Sequence, residues 1–167
     1  MTPRRLLLLL AFLPLACAPA GPDLRRAETP IASSTAFDPA RFVDVWHVVA
    51  AYGQEARCGK LTETWTATAS GRWQVTGTRC GPAGARAFLA EARLIGPGRI
   101  ERRIGRTREE LWVLWVDADY RIAAIGSPSG AFGRVLARRP EPRADLMAGA
   151  RAALRFNGYD PAALHPL

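Results

Sequence analysis

At 167 residues the chain is sized for one domain and is long enough to bury a core of its own. It carries 23 Lys and Arg against 15 Asp and Glu, a formal charge of +8, and Lys60 is the single lysine among the bases. A surface this basic suits nucleic acid, anionic lipid or an acidic partner, and an export signal at the start of the chain argues against nucleic acid.

That signal is residues 1–16. Arg4 and Arg5 form a positive n-region, and Leu6 to Leu13 form an apolar run too short to span a bilayer as a mature helix. Leu13-Pro14-Leu15-Ala16-Cys17 resembles a lipobox, in which a small residue precedes a cysteine that is acylated and becomes the new N-terminus. Pro14 departs from that pattern, and simple cleavage at Ala18-Pro19-Ala20 is the competing reading. The cysteine count favours lipidation. With Cys17 acylated, the other two of the three cysteines, Cys58 and Cys80, remain as a pair in an oxidising compartment. Residues 17–40 are then a lipidated N-terminus and a tether, expected to be flexible because Ala, Pro, Ser and Thr dominate without apolar periodicity.

From Arg41 to Leu167 short runs alternate with turn signals roughly every ten residues, the mark of an antiparallel barrel or sandwich. The runs are 42–52, 61–69, 72–79, 87–95, 99–104, 111–117, 121–126 and 132–138. Between them stand Ser70-Gly71, Gly81-Pro82, Gly96-Pro97-Gly98 and Ser127-Pro128-Ser129-Gly130. Alternation puts Trp73, Val75 and Gly77 on one face of their strand, and Phe88, Ala90, Ala92 and Leu94 on one face of the next. Leu111 to Val116 is apolar on both faces and requires an outer cover. The stretch 143–156 provides it as a helix with Leu146, Met147, Ala150 and Leu154 on one stripe, stopped by Asn157-Gly158.

Three short motifs in order resemble the lipocalin family, most closely its bacterial outer-membrane lipoprotein branch, which is similar to apolipoprotein D. Asp44-Val45-Trp46 stands where that family has Gly-x-Trp, without the glycine. Asp117-Ala118-Asp119-Tyr120-Arg121 matches its acidic turn, and Arg138 in Leu136-Ala137-Arg138 matches its lone arginine after the last strand. The resemblance implies an all-β, eight-stranded up-and-down antiparallel barrel with one C-terminal helix packed outside. It implies that Trp46 plugs the closed end and that Arg138 crosses its ring, a cation–π contact worth about 0.5–2 kcal/mol. In that topology Cys58 and Cys80 lie on loops at the same open end, where a disulfide is geometrically reasonable.

The sequence offers catalysis little. His47 and His165 are the only histidines, no cluster has metal-ligand spacing, and no Gly-rich loop opens a helix in the phosphate-binding manner. No enzymatic role, cofactor or metal is expected. Binding has more support. The inward set Trp65, Trp73, Val75, Phe88, Leu111, Val113 and Trp115 is expected to line an open apolar pocket. Arg102, in phase with Ile100 and Ile104, is placed to pair with an anionic headgroup, unless Glu63, in phase with Leu61 and Trp65, satisfies it instead. The resemblance implies a fatty acid or lysophospholipid as ligand and anchorage on the periplasmic face of the outer membrane. The alternative is a periplasmic protease-inhibitor-like or interaction barrel with a filled interior, whose N-terminal segment does the work.

Overall fold

The computed structural model describes residues 24–68 and 72–167. The signal peptide, Cys17, the competing cleavage site and the Ser70-Gly71 turn expected above lie outside them. Among the described residues the barrel strands are β1 (Asp44–Ala51), β2 (Leu61–Ala67), β3 (Trp73–Gly81), β4 (Gly84–Gly96), β5 (Arg99–Ile104), β6 (Thr107–Val116), β7 (Ile122–Gly126) and β8 (Gly133–Ala137). A helix, α1 (Ala144–Phe156), follows, and a two-residue strand, β9 (His165–Pro166), pairs with the end of β1. Each barrel strand pairs antiparallel with its sequence neighbour, and β1 pairs with both β2 and β8, so the sheet closes on itself. This is the eight-stranded up-and-down barrel with an outer helix that the motifs implied.

The period-2 pattern explains the strands: β2 to β5 turn apolar residues inward and mostly polar ones to solvent, and β1, β6, β7 and β8 separate an inner from an outer apolar cluster. Inside stand Trp46, Val48, Leu61, Trp65, Trp73, Val75, Phe88, Ile100, Leu111, Val113, Ile125 and Leu136. Outside stand Val49, Trp112, Leu114, Ile122, Ala124 and Val135, in one cluster with Ala150 and Leu154 of α1. The helix packs on β6 and β7, the strands that are apolar on both faces. Beyond α1, Tyr159 locks the same wall. Gly126 and Gly133 face each other across β7 and β8, and a Cβ at either would come within 2.7 or 2.6 Å of Tyr159. The phenol accepts from the Ser127 amide at 3.0 Å and donates to the Phe132 carbonyl at 2.8 Å.

Three expectations are corrected. The tether is no loose arm from Leu24 onward. The Leu24 amide donates to the Gly130 carbonyl at 3.0 Å, and Arg25 is buried with its Nε on the Asn157 carbonyl and Nη2 on the Thr29 carbonyl. The Ser34 amide then donates to the Val113 carbonyl at 2.7 Å, and Phe37 packs edge-on against Phe42 at 5.2 Å. Residues 24–42 are therefore a strap that runs down the outside of the barrel and turns Phe37 and Phe42 into the inner core at its closed end. Composition missed it because its backbone groups are satisfied by other segments, without periodicity of its own. Trp115, expected inside, faces out. The β6–β7 register shifts between Val113 and Trp115, and such a bulge exchanges the faces of everything beyond it. Trp115 packs with the outer cluster, where a Cβ on Gly149 of α1 would come within 3.1 Å of its ring. Leu94, expected inward, is 38% exposed, since the second half of β4 runs past the closed end to another register shift at Leu94–Gly96.

Candidate ligand site

The barrel interior is layered. The closed end is sealed by Trp46, whose Nε1 donates to the Phe42 carbonyl at 2.8 Å. The Arg138 guanidinium lies 3.8 Å from the centre of the Trp46 ring. It also donates to the carbonyls of Val45 and Arg41, each at 3.0 Å, and of Tyr120 at 3.2 Å. A half-buried cation still loses part of its hydration, and three backbone carbonyls plus a π face replace it. The acidic turn fixes the next corner. Asp117 accepts from the amides of Arg121 and Ile122 and from the Arg121 side chain, at 2.6–2.9 Å. Burial pushes its carboxyl up, but those donors outweigh it and the group ends below the ordinary carboxylate value.

The middle layer is apolar and full. Trp65, Trp73, Val75, Leu111 and Val113 all point inward and are buried, as is Phe88. The gap left between Phe42, Trp65, Ile100, Leu111, Val113, Ile125, Arg134 and Leu136 has no room for a water molecule. The open apolar pocket expected from sequence is therefore closed. Alternation told which strand side chains enter a barrel but not that Phe42, just ahead of β1, folds in beside them, edge to face with Trp65 of the neighbouring β2 at 5.2 Å.

Above the aromatic layer the interior turns ionic. Glu63 of β2 is buried and accepts from Arg102 Nη1 of β5 at 2.7 Å and from Trp65 Nε1 at 3.1 Å. Arg134 of β8 brings Nη2 to 2.9 Å from the same carboxylate and donates from Nη1 to Glu55 at 3.2 Å. Arg102 also donates twice to Glu109 of β6, at 2.7 and 3.0 Å, with Arg79 of β3 at 3.8 Å from that acid. Burial pushes the Glu63 carboxyl up, but the Arg134 and Arg102 charges and the two side-chain donors more than reverse this and hold it at about 2. Arg102, expected to await a headgroup, is thus satisfied by Glu63, the alternative the sequence left open.

This network floors a cavity of about 260 Å³ at the open end, lined by Glu55, Arg79, Cys80, Arg102, Glu109, Ala131, Phe132 and Arg134. Two residues of its wall carry three buried side-chain atoms without a hydrogen-bond partner, one of them Arg134 Nη2, which is held to Glu63 by charge alone. The other two, Arg134 Nε and Glu55 Oε2, are orphaned, a condition proteins avoid unless a ligand or water supplies a partner. Cys58 and Cys80 form a disulfide beside it, with Cα atoms 5.5 Å apart across a sequence separation of 22. The bridge ties the loop before β2 to the end of β3. Replacing both cysteines with Ser is expected to destabilise the fold by about 3 kcal/mol, since a loop of this size gains that much when closed. Urea unfolding of the variant checks it; a loss below about 1 kcal/mol would show that the strands alone fix the mouth.

Sequence reading missed Arg134, Glu55, Arg79 and Glu109. Arg134 was findable, since it is in phase with Phe132 and Leu136 on the inner face of β8. Glu109 was not, because its place opposite Arg102 depends on the tight turn at Gly105-Arg106 that sets the β5–β6 register.

A family model described as a lipocalin-like domain matches residues 37–167. The chain is a lipocalin. Among solved structures it is similar to a major cockroach allergen, Per a 4, at 12% identity with a TM-score of 0.64, covering 85% of this chain and 95% of that one. Lobster apocrustacyanin A1 is 12% identical with a TM-score of 0.61, over 77% and 78% of the two chains. The amine-binding protein of Rhodnius prolixus, in its tryptamine complex, is 14% identical with a TM-score of 0.59, over 82% and 84%. At such identities these neighbours share the barrel alone with this lipocalin. No curated protein sequence matches it.

Proposed function

We propose that this lipocalin binds a small zwitterionic ligand of phospholipid-headgroup size in its mouth cavity, without catalysing a reaction on it. The observation that carries the reading is the orphaned pair. Arg134 Nε calls for an acceptor such as a phosphate oxygen, and Glu55 Oε2 calls for a donor such as an ammonium. A lysophospholipid with an ethanolamine head offers both, whereas a fatty acid offers only the acceptor. Because the aromatic layer below is full, the acyl chain stays outside the barrel. The Cys58–Cys80 bridge also ties up the thiols that a lipocalin-type isomerase would use. Anchorage at Cys17 to the periplasmic face of the outer membrane belongs to the same proposal. Its support is Leu15-Ala16-Cys17 together with the pairing of the other two cysteines.

Calorimetric titration with glycerophosphoethanolamine, the head without a chain, is expected to give one saturable site per barrel. Glu55→Gln should weaken it about tenfold, the value of one charge-assisted hydrogen bond. Affinity that instead climbs by about 0.8 kcal/mol per methylene across a fatty-acid series would mean the aromatic layer opens and an acyl-chain carrier is the right reading. The filled interior also favours a second reading, an interaction barrel, which gains ground if neither head nor chain binds. In the inhibitor form of that reading, an arm reaching a protease cleft would have to precede the packed strap.

A further inference from the structure

We infer that the open end of the barrel is a docking surface for an anionic membrane, so that the anchored protein stands mouth-down on the bilayer. The mouth-down orientation rests on the lipid anchor proposed above, and two observations argue for the docking surface. The first is the course of the strap. Its first described residue, Leu24, is bonded to Gly130 in the β7–β8 turn and lies against Gly53 in the loop after β1. Both belong to the open end. The strap then descends past Pro97 and Val113 to Phe37 at the closed end. Cys17 precedes Leu24 by seven residues, which reach at most about 25 Å however they are arranged. An acyl chain on Cys17 therefore holds the mouth near the membrane, with the closed end roughly another 25 Å along the strands.

The second observation is charge. Arg57, Lys60 and Arg106 on the mouth loops, and Arg86 beside the β3–β4 turn, are all exposed. Of the acids of that end, Glu55 and Glu109 are engaged by Arg134, Arg102 and Arg79, while exposed Glu28 and Asp160 stand to one side, around the start of the strap at Leu24. The four bases have no ion-pair partner among the described residues. The closed end differs: exposed Asp38, Asp44, Asp119 and Glu141 stand there among the arginines. A rim of unpaired cations around an anchored mouth complements phosphatidylglycerol or another anionic headgroup.

The test uses the processed chain beginning at residue 17 with Cys17→Ser, so that neither acyl chain nor signal peptide confers binding. Co-sedimentation with phosphatidylglycerol vesicles at low salt should exceed that with phosphatidylcholine vesicles and fall as salt rises. Reversing Arg57, Lys60, Arg86 and Arg106 to Glu should weaken it about 1,000-fold or more, the scale expected for four basic residues near a charged surface. The Gln versions of the same four should weaken it less, in the same direction. Reversing Arg139 and Arg143 at the closed end should change it less than twofold. Equal losses from the two ends, or equal binding to both lipids, overturn the proposal. Absence of vesicle binding overturns it too and assigns the rim to an acidic protein. Headgroup titration in solution involves no vesicle, so failure of the ligand reading registers separately.

Discussion

Glu63→Gln is expected to destabilise the fold by about 3–5 kcal/mol, the scale on which removing one partner from a buried ion network acts. The carboxylate is shared by two buried guanidiniums and an indole N–H. The amide keeps the volume and removes the charge. Arg102 retains Glu109, but Arg134 is left with Glu55 alone. For a domain of this size the loss lowers Tm by about 10 °C or more. A Glu63→Leu/Arg134→Met pair should be less harmful than Glu63→Gln, because it removes one charge of each sign together, keeps Arg102 on Glu109 and frees only the partly exposed Glu55. Equal or greater damage from the pair would show that packing, not charge, holds this layer. The pH dependence follows from the depressed carboxyl. Its ordinary value is 4.5 and its folded value about 2. Its contribution is therefore complete above about 4.5 and is lost as pH falls toward 2, amounting to about 3 kcal/mol. Urea midpoints at pH 7 and pH 3 should converge between wild type and Glu63→Gln. A constant difference across that range would sink the assignment.

Trp46→Ala is the second large effect, about 3–5 kcal/mol, as for other large aromatic side chains removed from a core. Trp46 is fully buried, 4.8 Å from the Phe42 ring, and Arg138 rests on its face. Arg138→Ala should be milder, because the three carbonyls it frees lie partly at the surface and can turn to water. The two sites should couple by about 1–2 kcal/mol in a double-mutant cycle, measured by urea unfolding. Additive losses would mean that the arginine caps the carbonyls without using the ring. The family's glycine is replaced by Asp44, which takes a φ of 88°. The backbone keeps the left-handed turn into β1 without the residue that adopts it most easily, and Asp44 Oδ1 accepts from the next amide at 2.8 Å.

Much of the barrel was legible in the sequence alone. Period-2 alternation and Gly-Pro punctuation placed all eight strands. Apolar residues on both faces of β6 called for the helix that covers it, and the spaced Trp46, Asp117 and Arg138 pointed to the family. These features are local, or need only the order of residues along the chain. Tertiary structure decided the rest, because it depends on register and on what meets across the barrel. One bulge near Leu114 turned Trp115 from pocket wall to helix contact. Phe42, turning in from the strap ahead of β1 against Trp65 of β2, filled the apolar layer opposite Val113. The strap from Leu24 to Phe42 took its hydrogen bonds from Gly130, Asn157 and Val113, segments that no window of sequence joins to it. The functional site is of this second kind. Glu63, Arg102, Glu109 and Arg134 come from four strands; the β5–β6 turn sets Arg102 opposite Glu109, and closure of the sheet brings Glu63 within reach of both Arg102 and Arg134.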